Sequence, residues 1–233
     1  MIGAEGRIGS EWGLTIAALW GRIVVVLGIH DFWLFAVSGV VLTLTPGPDT
    51  LYILGRSVAQ GRRAGMLSVL GISTGILIHT AAAALGLSAL LASSAGAFTV
   101  VRWVGAAYLV YLGVRMLLGP APAGQPAAEL PPPLNPLGIY RQGLFTNLLN
   151  PKVALFFLAF LPQFVDPRSP HRTAAFLLLG LEFILIGTTW SLCLAWFAAA
   201  VSRQLREQRA SSRWLGRASG VLFIGLGARV ARG

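Results

Sequence analysis

The sequence predicts an all-α integral membrane protein with about six transmembrane helices, arranged as two inverted three-helix repeats whose first helices are broken. Three observations carry this expectation. Of 233 residues, 55% are hydrophobic and 11% charged, with a mean hydropathy of +0.73, whereas a soluble domain carries about 25% charge. Six apolar stretches approach the roughly 20 residues that a bilayer core demands, and the loops between them leave no room for a soluble domain. Finally, the first stretch of each half is interrupted by proline next to a polar or charged residue.

The first span runs over 32–54 and the second over 66–93, the latter with no ionisable residue except His79. The third, 103–118, leads into a segment at 119–136 that holds seven of the thirteen prolines. Such a composition does not pack as a helix, so residues 119–139 are expected to link a first repeat (32–118) to a second (140–233). Three further spans follow at 144–165, 174–201 and 214–230, the last being the weakest. Residues 1–31 form an N-terminal extension in which Glu5, Arg7, Glu11 and Arg22 interrupt the apolar pieces. It lacks the unbroken apolar middle of a signal peptide, and an interfacial helix or a surplus upstream segment is the expectation.

The chain carries a formal charge of +10, from 17 Arg, one Lys and 8 acids. Most of the arginines lie at or beyond the ends of apolar runs, where the positive-inside rule places them; nucleic acid is therefore not an expected partner. Ten of them fall on the side of the Pro-rich linker, namely Arg56, Arg62, Arg63, Arg115, Arg141, Arg203, Arg206, Arg209, Arg213 and Arg217, and seven on the other. This bias puts the linker in the cytoplasm and both termini outside. The lone Cys193 excludes an internal disulfide and any CxxC redox pair.

Spans three and six begin alike, Arg102-Trp103-Val104-Gly105 against Arg213-Trp214-Leu215-Gly216, with Tyr111-Leu112-Gly113 and Phe223-Ile224-Gly225 following at nearly the same offset. Span one is broken at Pro46-Gly47-Pro48-Asp49 and span four at Asn150-Pro151-Lys152. Three crossings bring the chain to the opposite face, so a second half of the same order inserts upside down. In transporters of this plan the site lies near the midplane where broken helices meet, because freed carbonyls and half-helix ends bind ions and zwitterions there.

The chemistry concentrates at those breaks. Asp49 lies within the membrane's thickness, where a carboxylate costs on the order of 3 kcal/mol and is seldom left facing lipid. It is a substrate or proton site, a cap for the half-helix that starts after Pro48, or both. Lys152, the only lysine, sits deep and either binds substrate or snorkels to an interface. Asn147 and Asn150 share one helical face and either hold a carboxylate or satisfy backbone freed by Pro151. Glu182 in span five is a second buried acid. His79 is a candidate relay, although a lone histidine more often makes a hydrogen bond between helices. Gly71 and Gly75 form a GxxxG pattern suited to close helix packing. No metal cluster, phosphate loop or Ser/His/Asp set is visible, so no cofactor is expected.

Thr45-Pro46-Gly47-Pro48-Asp49 and Asn147-Leu148-Leu149-Asn150-Pro151-Lys152, continued by Phe156-Phe157 and Leu161-Pro162-Gln163-Phe164, resemble the signatures of the LysE/RhtB family of amino-acid exporters. The likeness covers about 32–230, including the stretches around Gly61 to Gly65, Gly75 and His79, and Tyr108 to Gly113. It implies a multi-pass protein of the bacterial inner membrane that exports an amino acid or related metabolite, driven by protons. Its expected partners are the substrate, protons, membrane lipid and, as an option, further copies of the chain. Two features depart from the family's pattern: the long N-terminal extension and the charge at Glu182. A membrane enzyme acting on a lipid-linked substrate is the alternative, but it needs a nucleophile or metal set that the sequence lacks. A structural subunit would leave the paired breaks unexplained.

Overall fold

The computed structural model describes residues 21–89, 95–118 and 132–198, with positions 221, 224, 225, 227 and 228. Helix α1 is Phe32–Leu44, α2 is Pro48–Ala82 prolonged by a wide turn at Ala83–Leu87, and α3 is Ala95–Leu118. Helix α4 is Pro136–Leu148, α5 is Pro151–Leu155 prolonged by turns at Phe156–Phe160 and Leu161–Phe164, and α6 is Arg172–Trp196. Among the described residues, α6 and the Pro48–Leu87 segment are long and apolar enough to cross a membrane. Helix α4 and Pro151–Phe164 qualify together as one broken span bent by 47°. The protein is an all-α membrane protein, as its composition requires.

Helix α2 joins what the sequence reads as the end of span one to span two. Its middle is a reversal, because Gly61 adopts φ 82°, ψ 179°, a conformation that side-chain-bearing residues rarely enter. A Cβ on Gly65 would collide with the Ser57 side chain, yet eight helical residues span roughly 12 Å. The limbs 48–60 and 62–87 therefore lie side by side. The first limb stays helical past Leu54 as far as Gln60.

Contacts across the chain define two ends. At one, the Gln60 amide donates to Leu134 O (2.9 Å) and accepts from Leu134 N (3.1 Å), while the Arg62 guanidinium lies 4.6 Å from the Trp196 ring centroid. At the other, His30 N donates to Phe164 O and Asp166 N to Gly28 O, and Thr173 meets Ser88. Chain order then fixes the directions: α1 with the first limb runs opposite to the second limb, and α4 with α5 runs opposite to α6. The end of the N-terminal extension is part of this packing, since Ile29 belongs to the core. Residues 1–20, the linker at 119–131 and most of the sixth span lie outside the described residues, although Gly227 packs against Ala106 and Val110.

Packing follows membrane rather than aqueous logic. Leu70, Leu77, Leu85, Leu181 and Leu185 are all exposed, a pattern that lipid satisfies. Lipid tails are as apolar as leucine, so helices associate through close backbone approach and interlocked side chains. Gly71 faces the Tyr140 carbonyl, Gly143 the Ser68 backbone and Gly180 the Thr80 side chain, and a Cβ at any of the three would collide. Beside these contacts Phe35, Phe156, Phe160, Phe164 and Phe183 form an aromatic stack with centroid separations of 4.6–6.1 Å, which clamps α1, the α5 turn and α6 together.

Candidate substrate site at the paired helix breaks

Both breaks lie where proline imposes them. Thr45 ends α1, its hydroxyl donating to Val41 O (2.7 Å), and Pro46 is exposed while Gly47 serves as the extended N-cap residue of α2. Pro48 occupies the first helical turn, where a missing N–H costs nothing. In the second half Leu149 ends α4 and Asn150 caps α5, its Oδ1 accepting from Lys152 N (3.1 Å), with Pro151 in the first turn.

The two breaks interlock through Lys152. Its ammonium donates to Leu42 O (3.0 Å) and Thr45 O (2.9 Å), carbonyls at the C-terminal end of α1 where no further turn supplies an N–H. A cation there also meets the negative end of the helix dipole. Lysine of the second half thus closes the broken helix of the first. Gly47 leaves room for it, since a Cβ would lie 3.2 Å from Nζ.

Asp49 faces the same meeting point. Its Oδ2 accepts from Asn147 Nδ2 (2.8 Å), and no side chain caps the N-terminus of α2; the carboxylate is turned to the other half of the molecule rather than to its own helix. Asp49 Oδ1 is buried without a hydrogen bond, as are Asn150 Nδ2 and Asn147 Oδ1. The Asn150 side chain approaches this carboxylate without reaching hydrogen-bond geometry, and Lys152 and His79 lie within electrostatic reach of it. Gly75 makes space for the fully buried Asn147, whose Oδ1 would be 2.6 Å from a Cβ there. His79 Nε2 approaches Asn147 O at 3.4 Å and its ring stacks on Phe157 at 5.8 Å.

A cavity of about 40 Å³ opens beside Asp49, lined by Gly47, Lys152 and Thr50 on its polar side and by Leu42, Ile72, Ile76, Val153 and Phe183 on its apolar side. Trp190 and Ser191 of α6 complete it. The Trp190 indole N–H is buried and has no acceptor. Sequence reasoning missed Trp190 because a tryptophan in an apolar span carries no motif. Of the predicted site residues, Thr45, Pro46, Gly47, Pro48, Asp49, His79, Asn147, Asn150, Pro151 and Lys152 gather around the two breaks. Glu182 lies apart: it precedes Phe183 on α6 but does not line the cavity, and its Oε2 has no partner. No group of three metal-ligating residues occurs among the described residues.

The cavity sets charged and polar groups beside an apolar wall. The family model described as LysE type translocator matches residues 40–233. The leucine efflux protein of Salmonella typhimurium is 30% identical over 205 residues, 88% of this chain and 96% of its own. An uncharacterised membrane protein of Vibrio cholerae is 31% identical over 88% of this chain and 98% of its own, and one of Pseudomonas aeruginosa 32% identical over 88% and 96%. No solved structure matches. The chain therefore belongs to the LysE type translocator family and is a membrane transporter, not an enzyme.

Proposed function

We propose that the protein exports an aliphatic amino acid, of which leucine is the reference case, across the bacterial inner membrane in exchange for protons. One observation carries this reading: Asp49 and Trp190, each with a buried polar atom that has no partner, line one cavity with an apolar wall. An ammonium at Asp49, a carboxylate at Trp190, and an alkyl chain against Ile72, Ile76 and Phe183 would satisfy all three surfaces. The leucine efflux relative supports the same class. A volume of about 40 Å³ holds only a few waters, so substrate binds after the halves separate. The opposite directions of the broken helices support an inverted repeat, with Asp49 carrying the returning proton.

Inverted membrane vesicles expressing the protein should accumulate radiolabelled leucine when a pH gradient is imposed, and should stop when it is collapsed. No accumulation of leucine, isoleucine, valine or methionine would sink the aliphatic reading. Orientation follows from the arginine bias, with the Gln60 end cytoplasmic. A single cysteine at Gln125 in a Cys193→Ala background should resist an impermeant thiol reagent in intact cells and react in inverted vesicles; labelling from outside would reverse the assignment.

A further inference from the structure

Two helical turns from Asp49, on the same face of the first limb, Arg56 is 3% exposed. Its Nη1 donates to Gln60 Oε1 (3.0 Å) and Pro132 O (2.7 Å), and its Nη2 to Gln142 Oε1 (2.8 Å). Its Nε is buried with no partner, and the Tyr52 ring lies 5.7 Å from Cζ. Every acceptor is neutral. Asp49 is the only acid in 48–60, and 132–148 contains none, so no carboxylate compensates this guanidinium among the described residues. A buried charge with no counter-ion among the described residues is costly, and in a membrane protein such a group is a candidate for a binding role.

The supports of Arg56 have a second property. Pro132 and Gln142 belong to the end of the linker and to α4, the elements that must leave the first limb if the halves part at the Gln60 end. Tyr52 continues the same seam, its hydroxyl donating to Ile139 O (2.7 Å), and Asp49 with Asn147 closes it at the helix breaks. Parting the seam strips two neutral acceptors from Arg56 and leaves a fork of donors that fits a carboxylate in two-point fashion.

We propose that Arg56 is a vestibular anion site where the substrate's carboxylate docks from the cytoplasm before the ammonium reaches Asp49. Seven helical residues separate the two side chains by roughly 10 Å, more than one amino acid spans with both groups engaged, so the sites are used in succession. The assignment rests on the exporter reading for its substrate and direction, but not for its test.

The probe is isovalerate, an alkyl carboxylate without an ammonium, added to the full chain in detergent while thermal unfolding is followed. Isovalerate should raise the midpoint of the wild type. Arg56→Gln should weaken this apparent affinity at least roughly tenfold, the loss expected of a charge-assisted bidentate contact. Arg56→Lys should retain part of it. Equal protection of wild type and Arg56→Gln overturns the proposal whether or not the protein transports leucine. If Arg56→Gln does not fold, Gln142→Ala decides: freeing the guanidinium should tighten isovalerate binding, whereas a purely structural clamp predicts no gain.

Discussion

Asp49→Asn should leave a folded, membrane-inserted protein that no longer accumulates leucine against its gradient. The carboxylate accepts a hydrogen bond from Asn147 Nδ2, and an asparagine oxygen accepts the same bond. What the amide cannot do is cycle a proton or pair with an ammonium. Losing a charged hydrogen bond of about 1.5–3 kcal/mol weakens substrate roughly 10- to 100-fold, and uphill transport should vanish altogether. The measurement is uptake into inverted vesicles under an imposed pH gradient, with membrane levels checked by immunoblot. Wild-type rates and pH dependence would remove Asp49 as proton carrier and move the search to Glu182 and His79. A capping role alone predicts that benign outcome, because asparagine caps helices as well as aspartate. The carboxylate's turn toward Asn147 argues against it.

The breaks were legible because proline next to charge inside an apolar run has few structural uses, and the membrane class because composition alone decides it. The clustering of Asp49 with Asn147 and Asn150 also follows from placing both breaks at one depth. The reversal at Gly61 shows a different limit. Apolar periodicity marks the spans on either side, but the limb 48–60 remains helical past the apolar run because Tyr52, Arg56 and Gln60 find partners on α4 and the linker. A hydropathy reading ends at Leu54, where polar residues begin, since it cannot see those partners. Trp190 was hidden for the converse reason: its indole reads as one more apolar residue until the cavity shows a polar atom without an acceptor. Lys152 makes bonds that neither of its two sequence readings anticipates. Snorkelling and substrate binding both assume an ammonium free to move, and neither anticipates carbonyls released 107 and 110 residues earlier in the chain.

That difference gives Lys152→Met an outcome of its own. A snorkelling lysine would tolerate the change, and a lysine reserved for substrate carboxylate would show weaker apparent affinity at unchanged stability. An ammonium bonded to Leu42 O and Thr45 O predicts a loss of stability instead. Methionine fills the space but donates nothing, so two carbonyls at the end of α1 are left unpaired inside the membrane. Each unmet group costs about 1–3 kcal/mol. Removing a poorly solvated charge offsets part of this, but it also strips Asp49 of a cation within electrostatic reach. The net loss should be about 2 kcal/mol or more, which at this chain length lowers the thermal midpoint by roughly 4–8 °C. Leucine transport should fall with it, since Gly47 and Asp49 are positioned by the same break. Thermal unfolding in detergent, read alongside vesicle uptake, separates the three cases. An unchanged midpoint with a raised KM would show that Lys152 serves substrate directly and that its bonds to the α1 carbonyls are dispensable.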